Sequence, residues 1–246
     1  ETRFAASLGR EAVLELPTRQ LDMAEGRALF EATCAGCHGL RGLSDGQKAL
    51  TMNPRPAAIG DGKAMRDVSP ATMYRVLSVG IAGTQMVGFA ELLTADQRWN
   101  IVSHVLSLRT TPQRVAEGEG LFVQRCVQCH GSLGAGDGAF ARTLTRLPQE
   151  IGSLGWQASR SDGQLAIAVR DGIAGTAMPA GRELAPDQQQ SVVAYLRTLP
   201  LKVGPQAPSG VAARGDAAAM ARSVLALVGQ SLAAARSGLT ADARDK

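Results

Sequence analysis

An internal duplication constrains this chain of 246 residues more than any other feature. Residues 34–38 and residues 126–130 both read Cys-x-x-Cys-His, and 92 positions separate the two motifs. The same offset relates residues 80–86 to residues 172–178, which agree in six of seven positions. Periods of about 20–50 residues are typical of solenoids, whereas a longer period indicates tandem domains. The sequence therefore predicts two similar domains in series.

The pattern of each repeat predicts a helix, a long loop, a second helix, a loop that carries the repeated methionine, and a last helix. Capping signals mark the helix starts, at Asp22 and Thr111, at Ser69 and Ser161, and at either Thr94 or Asp96 in the first repeat and Asp187 in the second. No stretch approaches the roughly 20 apolar residues of a membrane helix. We predict an all-α fold with an N-terminal arm (1–21), two domains (22–110 and 111–201) of about three to five helices each, and a linker with a helical tail (202–246).

The Cys-x-x-Cys-His motif is typical of covalent haem attachment, because two thiols at this spacing can add to the two vinyl groups of a haem. The adjacent histidine then binds the iron. A zinc site would need four converging ligands, and the two motifs lie in separate repeats. A thioredoxin-like dithiol would need a βαβ context, which the pattern lacks. The motifs therefore predict two covalently bound c-type haems. Thioether bonds are expected at Cys34 and Cys37 and at Cys126 and Cys129. The iron ligands are expected to be His38 and His130.

A repeated methionine is the candidate for the sixth iron ligand in each domain. Met86 lies 48 residues after His38, and Met178 lies 48 residues after His130. A thioether in this position raises the reduction potential of a haem. The alternative is an ordinary core methionine, but two methionines in matched heptapeptides favour iron ligands.

Two aromatic side chains outside these motifs allow two interpretations each. His104 could bind a third metal or replace Met86, or it could pack against the first helix as Tyr195 does in the second repeat. The packing interpretation is favoured. The indole N–H of Trp156 could hold a haem propionate, or the ring could simply pack in its loop.

Each repeat resembles a class I c-type cytochrome. The resemblance rests on the Cys-x-x-Cys-His motifs, on the methionine loops, and on matched helix-contact positions at Gly26 and Phe30, Gly118 and Phe122, and His104 and Tyr195. It covers about residues 22–201, and the dihaem cytochromes of the c4 type are the most similar architecture. This resemblance implies helices wrapped around each haem, electron transfer to and from a redox protein partner, and a periplasmic location.

The tail has a different composition. It is rich in alanine from about residue 211 to residue 237, with Leu225, Val228 and Leu232 at helical spacing. It could be a helix packed on the second domain. It also bears a looser resemblance to the segment that follows the cytochrome domains in haem-fused bacterial permeases of the high-affinity iron transporter family. That resemblance implies a membrane permease or Fe(II) as a partner, and a membrane tether through a region beyond this sequence.

The remaining features separate the classes of function. The net charge of +4 and the pI near 9.1 suggest nucleic acid, but haem propionates would offset this charge and no basic run is present, so we expect no such partner. The start at Glu1 suggests a processed or trimmed chain.

A dihaem redox enzyme of the peroxidase or thiosulfate dehydrogenase type is the alternative to an electron carrier. A peroxidase would need an open iron, and a thiosulfate dehydrogenase would need an unusual sulfur ligand, often a cysteine. Because the two motifs use all four cysteines, the sequence favours the carrier.

Overall fold

The computed structural model describes residues 14–204. The helices of the first repeat are α1 (Met23–Thr33), α2 (Ala35–His38), α3 (Pro70–Val79) and α4 (Ala95–Ser107), with a 3₁₀ turn at Gln47–Thr51. Those of the second repeat are α5 (Pro112–Arg125), α6 (Val127–His130), α7 (Leu154–Ala158), α8 (Asp162–Asp171), α9 (Pro186–Leu196) and α10 (Leu199–Lys202), with a 3₁₀ turn at Ala141–Thr143. Within residues 14–204 there is one isolated antiparallel bridge, between Gly80 and Val87, and no strand. The all-α prediction is confirmed.

Side-chain caps fix most helix starts where the sequence predicts them. The carboxylate of Asp22 accepts hydrogen bonds from the backbone N–H groups of Ala24 and Glu25 at 2.9 and 3.0 Å. Thr94 forms a complete capping box with Gln97. Glu25 does not complete such a box, because its carboxylate instead accepts hydrogen bonds from α4. In the second repeat, α9 begins at Pro186, one residue before the predicted Asp187.

The first helix of each repeat crosses a later long helix at a glycine. α1 packs against α4, and α5 packs against α9, and these are the two most extensive contacts between elements of residues 14–204. A Cβ on Gly26 would overlap the backbone carbonyl of Asn100, and one on Gly118 would overlap the carbonyl of Ser191. The backbones can approach this closely only because glycine has no side chain. The crossing positions the Cys-x-x-Cys-His turn, which follows directly from the same helix.

An aromatic pair lies beside each crossing. The rings of Phe30 and His104 have centroids 5.2 Å apart, and those of Phe122 and Tyr195 are also 5.2 Å apart. His104 is buried and packs against α1 at the position that Tyr195 occupies in the second repeat. The packing interpretation of His104 is confirmed.

The burial of His104 predicts a pH-dependent stability. Burial, with the nearby Arg27 cation, lowers the pKa of His104, so the folded state favours the neutral ring. The unfolded pKa is near 6.5. The stability that the neutral ring contributes is therefore present above about pH 6.5 and is lost as the pH falls through the lower folded pKa. We expect His104→Tyr to flatten the fall in thermal midpoint between about pH 7.5 and pH 5.

The reciprocal variant is the control for this prediction. Tyr195→His places a histidine at the equivalent buried position and should add acid sensitivity to the second repeat. A His104→Tyr variant with the wild-type pH profile would show that other groups control the acid sensitivity.

The arm before α1 is part of the first domain's packing. Leu14, Leu16 and Leu21 pack against a core cluster that contains Phe30 and Trp99. The indole N–H of Trp99 donates to the backbone carbonyl of Glu15 at 2.6 Å. The predicted linker and tail lie outside the described residues from position 205 onward, as does the arm before residue 14. No helix between residues 14 and 204 is long and apolar enough to cross a membrane.

Candidate haem-binding sites

A one-turn helix presents each Cys-x-x-Cys-His motif. Cys34 ends α1, with its N–H donating to the Phe30 carbonyl at 2.8 Å, and His38 N–H donates to the Cys34 carbonyl at 2.9 Å. The second repeat has the same bonds at the same distances, from Cys126 to Phe122 and from His130 to Cys126. All four cysteines are free and half-buried. The fold therefore holds both thiols and the imidazole of each motif on one compact turn.

The loop after each motif folds back over this turn. A Cβ on Gly46 would lie 2.6 Å from the carbonyl oxygens of Ala35 and Gly36. Gly138 approaches the carbonyl groups of the second motif in the same way. This close approach explains why a glycine recurs at the repeat offset, at positions 46 and 138.

The environment of the thiols argues against a redox-active dithiol. Burial raises the pKa of Cys34, and burial raises the pKa of Cys126 to about 11. Reactive Cys-x-x-Cys pairs depend instead on a lowered thiol pKa. Half-buried neutral thiols beside an apolar cavity fit the thioether bonds of a c-type haem better than thiol–disulfide exchange.

The histidines have the chemistry of a proximal iron ligand. His38 Nδ1 lies 3.0 Å from the carbonyl oxygen of Ala57. Since a carbonyl only accepts, this bond requires a proton on Nδ1 and leaves Nε2 free to bind a metal. His130 Nδ1 is buried without a hydrogen bond to any described residue. The backbone of Gln149, at the position equivalent to Ala57, partly opposes the lowering of the His130 pKa. Burial lowers the pKa of both rings, which favours the neutral ligand form.

A cavity of about 500 Å³ brings the predicted ligands of the first repeat together. Cys34, Cys37 and His38 line it, and so does Met86, which lies 48 residues further along the chain. Most of the other lining side chains are apolar and come from α3, α4 and the intervening loops, among them Ile59, Met65, Val68, Val76, Ile101, Val102 and Val105. The size, the apolar walls and the donor set fit a haem.

The two methionine loops are closed in the same way. Ile81 N–H donates to the Met86 carbonyl at 2.8 Å, and Met86 N–H donates to Thr84 Oγ1 at 3.1 Å. The second repeat repeats both bonds, at 3.3 and 3.2 Å, with Ile173, Met178 and Thr176. The fold therefore presents both methionines on loops of one design.

Sequence reasoning missed three further methionines in the first cavity: Met52, Met65 and Met73. Their positions at the repeat offset are Leu144, Gln157 and Leu165, so the duplication carries no signal for them. Met73 Sδ also contacts the Arg109 guanidinium at 2.9 Å. Only the Met86 thioether has a methionine counterpart in the second repeat.

Trp156 packs in its loop and keeps a buried donor. Its ring contacts the cluster of Leu165, Ala166 and Val193, and the Arg160 guanidinium lies 4.0 Å from the ring centroid. Its indole Nε1 is buried without a hydrogen bond to any residue of the described range. The packing interpretation is therefore observed, and the propionate contact stays a prediction.

The comparison with protein families decides the identity of the two repeats. The family model "Cytochrome c" matches residues 23–109 and again residues 115–200. This chain belongs to the cytochrome c family. It consists of tandem cytochrome c domains, and each domain implies one covalently bound haem. The predicted resemblance to tandem c-type cytochromes and the prediction of two covalent haems are confirmed.

Relatives of this cytochrome are subunits of cbb3-type cytochrome c oxidases. Subunit FixP of Sinorhizobium medicae is 25% identical over 141 residues, which cover 53% of this chain and 46% of that protein. Subunit CcoP of an Azospirillum species is 29% identical over 199 residues, 72% of this chain and 62% of that protein. The cytochrome thus spans about half to two thirds of the length of these relatives. They support electron transfer and give the iron-permease resemblance of the tail no support.

Solved structures also match this chain. One of them is the reducing HAO-like protein complex Kustc0457/Kustc0458 of Kuenenia stuttgartiensis, with 22% identity over 77% of this chain and 99% of that chain. The TM-score is 0.35.

Proposed function

We propose that this cytochrome is an electron carrier that works outside the cytoplasmic membrane through two haems, whose irons one histidine and one methionine of each domain would bind. The supporting observation is the first cavity, where Cys34, Cys37, His38 and Met86 line one space. The haem supplies one-electron chemistry when bound. The chain attaches it, supplies a neutral imidazole, and holds a thioether in a closed loop. A thioether ligand favours Fe(II) and so raises the potential.

The second haem site is proposed on the equivalence of the repeats. Cys126, Cys129 and His130 lie on α6 as their counterparts lie on α2, and the Met178 loop has the hydrogen bonds of the Met86 loop. The indole N–H of Trp156 has no acceptor among the described residues and could donate a hydrogen bond to a propionate of this haem. These contacts support the same ligand set in both domains.

A redox protein is the proposed partner. The relatives are named as subunits of cbb3-type cytochrome c oxidases, and an oxidase complex is the partner that this association suggests. A periplasmic location follows from the class of protein and is part of the proposal. The link to an iron permease or to Fe(II) rests on the tail alone, which lies outside the described residues.

Mass spectrometry tests the two attachment sites. After acid-acetone extraction, the intact chain should retain the mass of two haems, because thioether bonds survive extraction. The Cys126→Ala/Cys129→Ala variant should retain only the first haem, and its matched control, Cys34→Ala/Cys37→Ala, should retain only the second. A wild-type chain that lost either haem would contradict covalent attachment at that site.

The resting spectrum separates the carrier from the enzyme. With a methionine on both irons, the ferric protein should be low-spin throughout. A substantial high-spin fraction in the full chain would show an open iron and would favour the dihaem enzyme over the carrier.

A further inference from the structure

A second cavity lies between the two repeats and is distinct from the haem cavity. Its volume is about 510 Å³, and the two cavities share no lining residue. The end of α4, the start of α5 and one face of α9 form its walls. It is referred to here as the inter-repeat cleft.

Positive charge predominates on the walls of the inter-repeat cleft. The first repeat contributes three cations and the second contributes two, which are Lys63, Arg66, Arg109, Arg114 and Arg197. Two carboxylates also line the cleft, Asp162 and Asp187. The cleft therefore carries an excess of cations, drawn from both domains.

Both carboxylates already have a cationic partner in the second repeat. Asp162 lies 2.7 Å from the guanidinium of Arg197, and Asp187 lies 3.7 Å from that of Arg114. Arg66 lies 3.7 Å from Asp67, whose side chain is largely exposed to solvent. Arg109 shares the Asp162 carboxylate with Arg197 and lies at the longer distance of 3.8 Å.

Arg109 is buried with an unused donor. Its side chain is 4% exposed, and its Nε donates to the carbonyl of Ile59 at 2.9 Å. Its Nη1 makes no hydrogen bond to any described residue and lies 3.8 Å from the nearer oxygen of Asp162. The adjacent Thr110 Oγ1 is also buried without a partner among residues 14–204. Buried polar groups without partners are costly, so these two donors favour an acceptor from outside the chain.

We propose that the inter-repeat cleft binds a small multivalent oxyanion of the phosphate or pyrophosphate type. Arg109 Nη1 and Thr110 Oγ1 would donate to it from the floor of the cleft, and Lys63 and Arg114 would contribute charge at the rim. Guanidinium groups suit such oxygens because they present several donors in a plane. Burial lowers the pKa of Arg109, and a bound anion would offset the cost of keeping this charge out of water.

Such an anion would link the two domains. Its donors come from both repeats, so it would bind the native arrangement and not an unfolded or separated one. A ligand that binds only the folded state raises the unfolding temperature, and the rise grows as the ligand concentration exceeds its Kd. The effect should weaken with added salt, because screening acts on the rim charges.

Calorimetric titration of the haem-loaded full chain with inorganic pyrophosphate tests the proposal. We expect saturable binding of one pyrophosphate per chain. Lys63→Gln/Arg114→Gln removes one rim cation from each repeat and should weaken binding roughly tenfold, at about three- to fivefold per cation. Arg27→Gln/Arg142→Gln is the matched control, because it also removes one cation from each repeat, at positions that do not line the cleft. The control should bind as the wild type does.

Three outcomes would overturn the proposal. They are the absence of pyrophosphate binding to the folded holoprotein, equal weakening in the two double variants, and binding that does not raise the thermal midpoint. The first would also be found if a propionate of the chain's own haem occupied the buried donors. Arg109→Gln should abolish binding, and if that variant fails to fold, the rim variants still decide the question.

Discussion

The Gly118→Ala variant should lose much of the stability of the second domain. The added methyl group would overlap the Ser191 carbonyl in α9, and a backbone carbonyl cannot move aside as a flexible side chain can. Overpacking of this kind costs about 1–3 kcal/mol, and more where the backbone itself must move. We expect a loss near 3 kcal/mol, which corresponds to a fall of roughly 10–20 °C in the unfolding temperature of a domain this size.

A second glycine in the same helix provides the control. Gly120 lies two positions further along α5, and a Cβ there would meet no atom within 4 Å. Gly120→Ala should therefore be neutral or stabilise the domain by up to about 1 kcal/mol, because alanine is the better helix former. Circular dichroism of both variants gives the comparison. Equal unfolding temperatures would mean that α5 and α9 do not cross at Gly118.

The Met178→His variant should lower the potential of one haem and leave the other nearly unchanged. Imidazole stabilises Fe(III) relative to a thioether. We expect the second midpoint to fall by on the order of 0.2 V, within the roughly 0.8 V range that axial ligands set. The first haem lies in the other domain, so its midpoint should shift little. Spectroelectrochemical titration resolves the two midpoints.

Two methionine variants complete this test. Met86→His should produce the reciprocal result, a lower first midpoint with the second preserved. Met65→His changes a methionine that lines the same cavity but has no counterpart in the second repeat, and it should leave the axial ligation of both haems intact. If Met65→His reproduced the shift expected of Met86→His, the assignment of Met86 as ligand would be wrong.

The duplication made part of this molecule predictable. Residues that recur at the repeat offset have the same task in both domains, so Gly26, Phe30 and the two motifs could be interpreted from the sequence. The close approach of Gly118 to α9 confirms that Gly118 has the same role as Gly26. The methionine ligands follow the same offset, and their ligand role stays a prediction.

Features that occur in only one repeat could not be predicted from the duplication. Tyr74 stacks on Trp99 with ring centroids 4.7 Å apart, but the equivalent positions of the second repeat are Ala166 at the offset of 92 and, after a one-residue gap, Gln190. Arg109 is likewise unmatched, since Pro200 stands at its position in the second repeat once the same gap is counted. Its importance comes from contacts between the domains, which no local pattern encodes. A duplication therefore identifies what both halves share and gives no signal for what joins them.

The N-terminal arm changes where the first domain has to begin. The Glu15 carboxylate lies 2.9 Å from the buried guanidinium of Arg98. The Glu15 carbonyl accepts a hydrogen bond from the indole N–H of Trp99. Gln20 donates to the carbonyl of Leu201 at 2.8 Å, so the arm touches both domains. A fragment cut at Met23, where the family match begins, would leave the buried indole N–H of Trp99 without its acceptor and the buried Arg98 without its carboxylate partner. The smallest unit that folds properly therefore starts before the family match does.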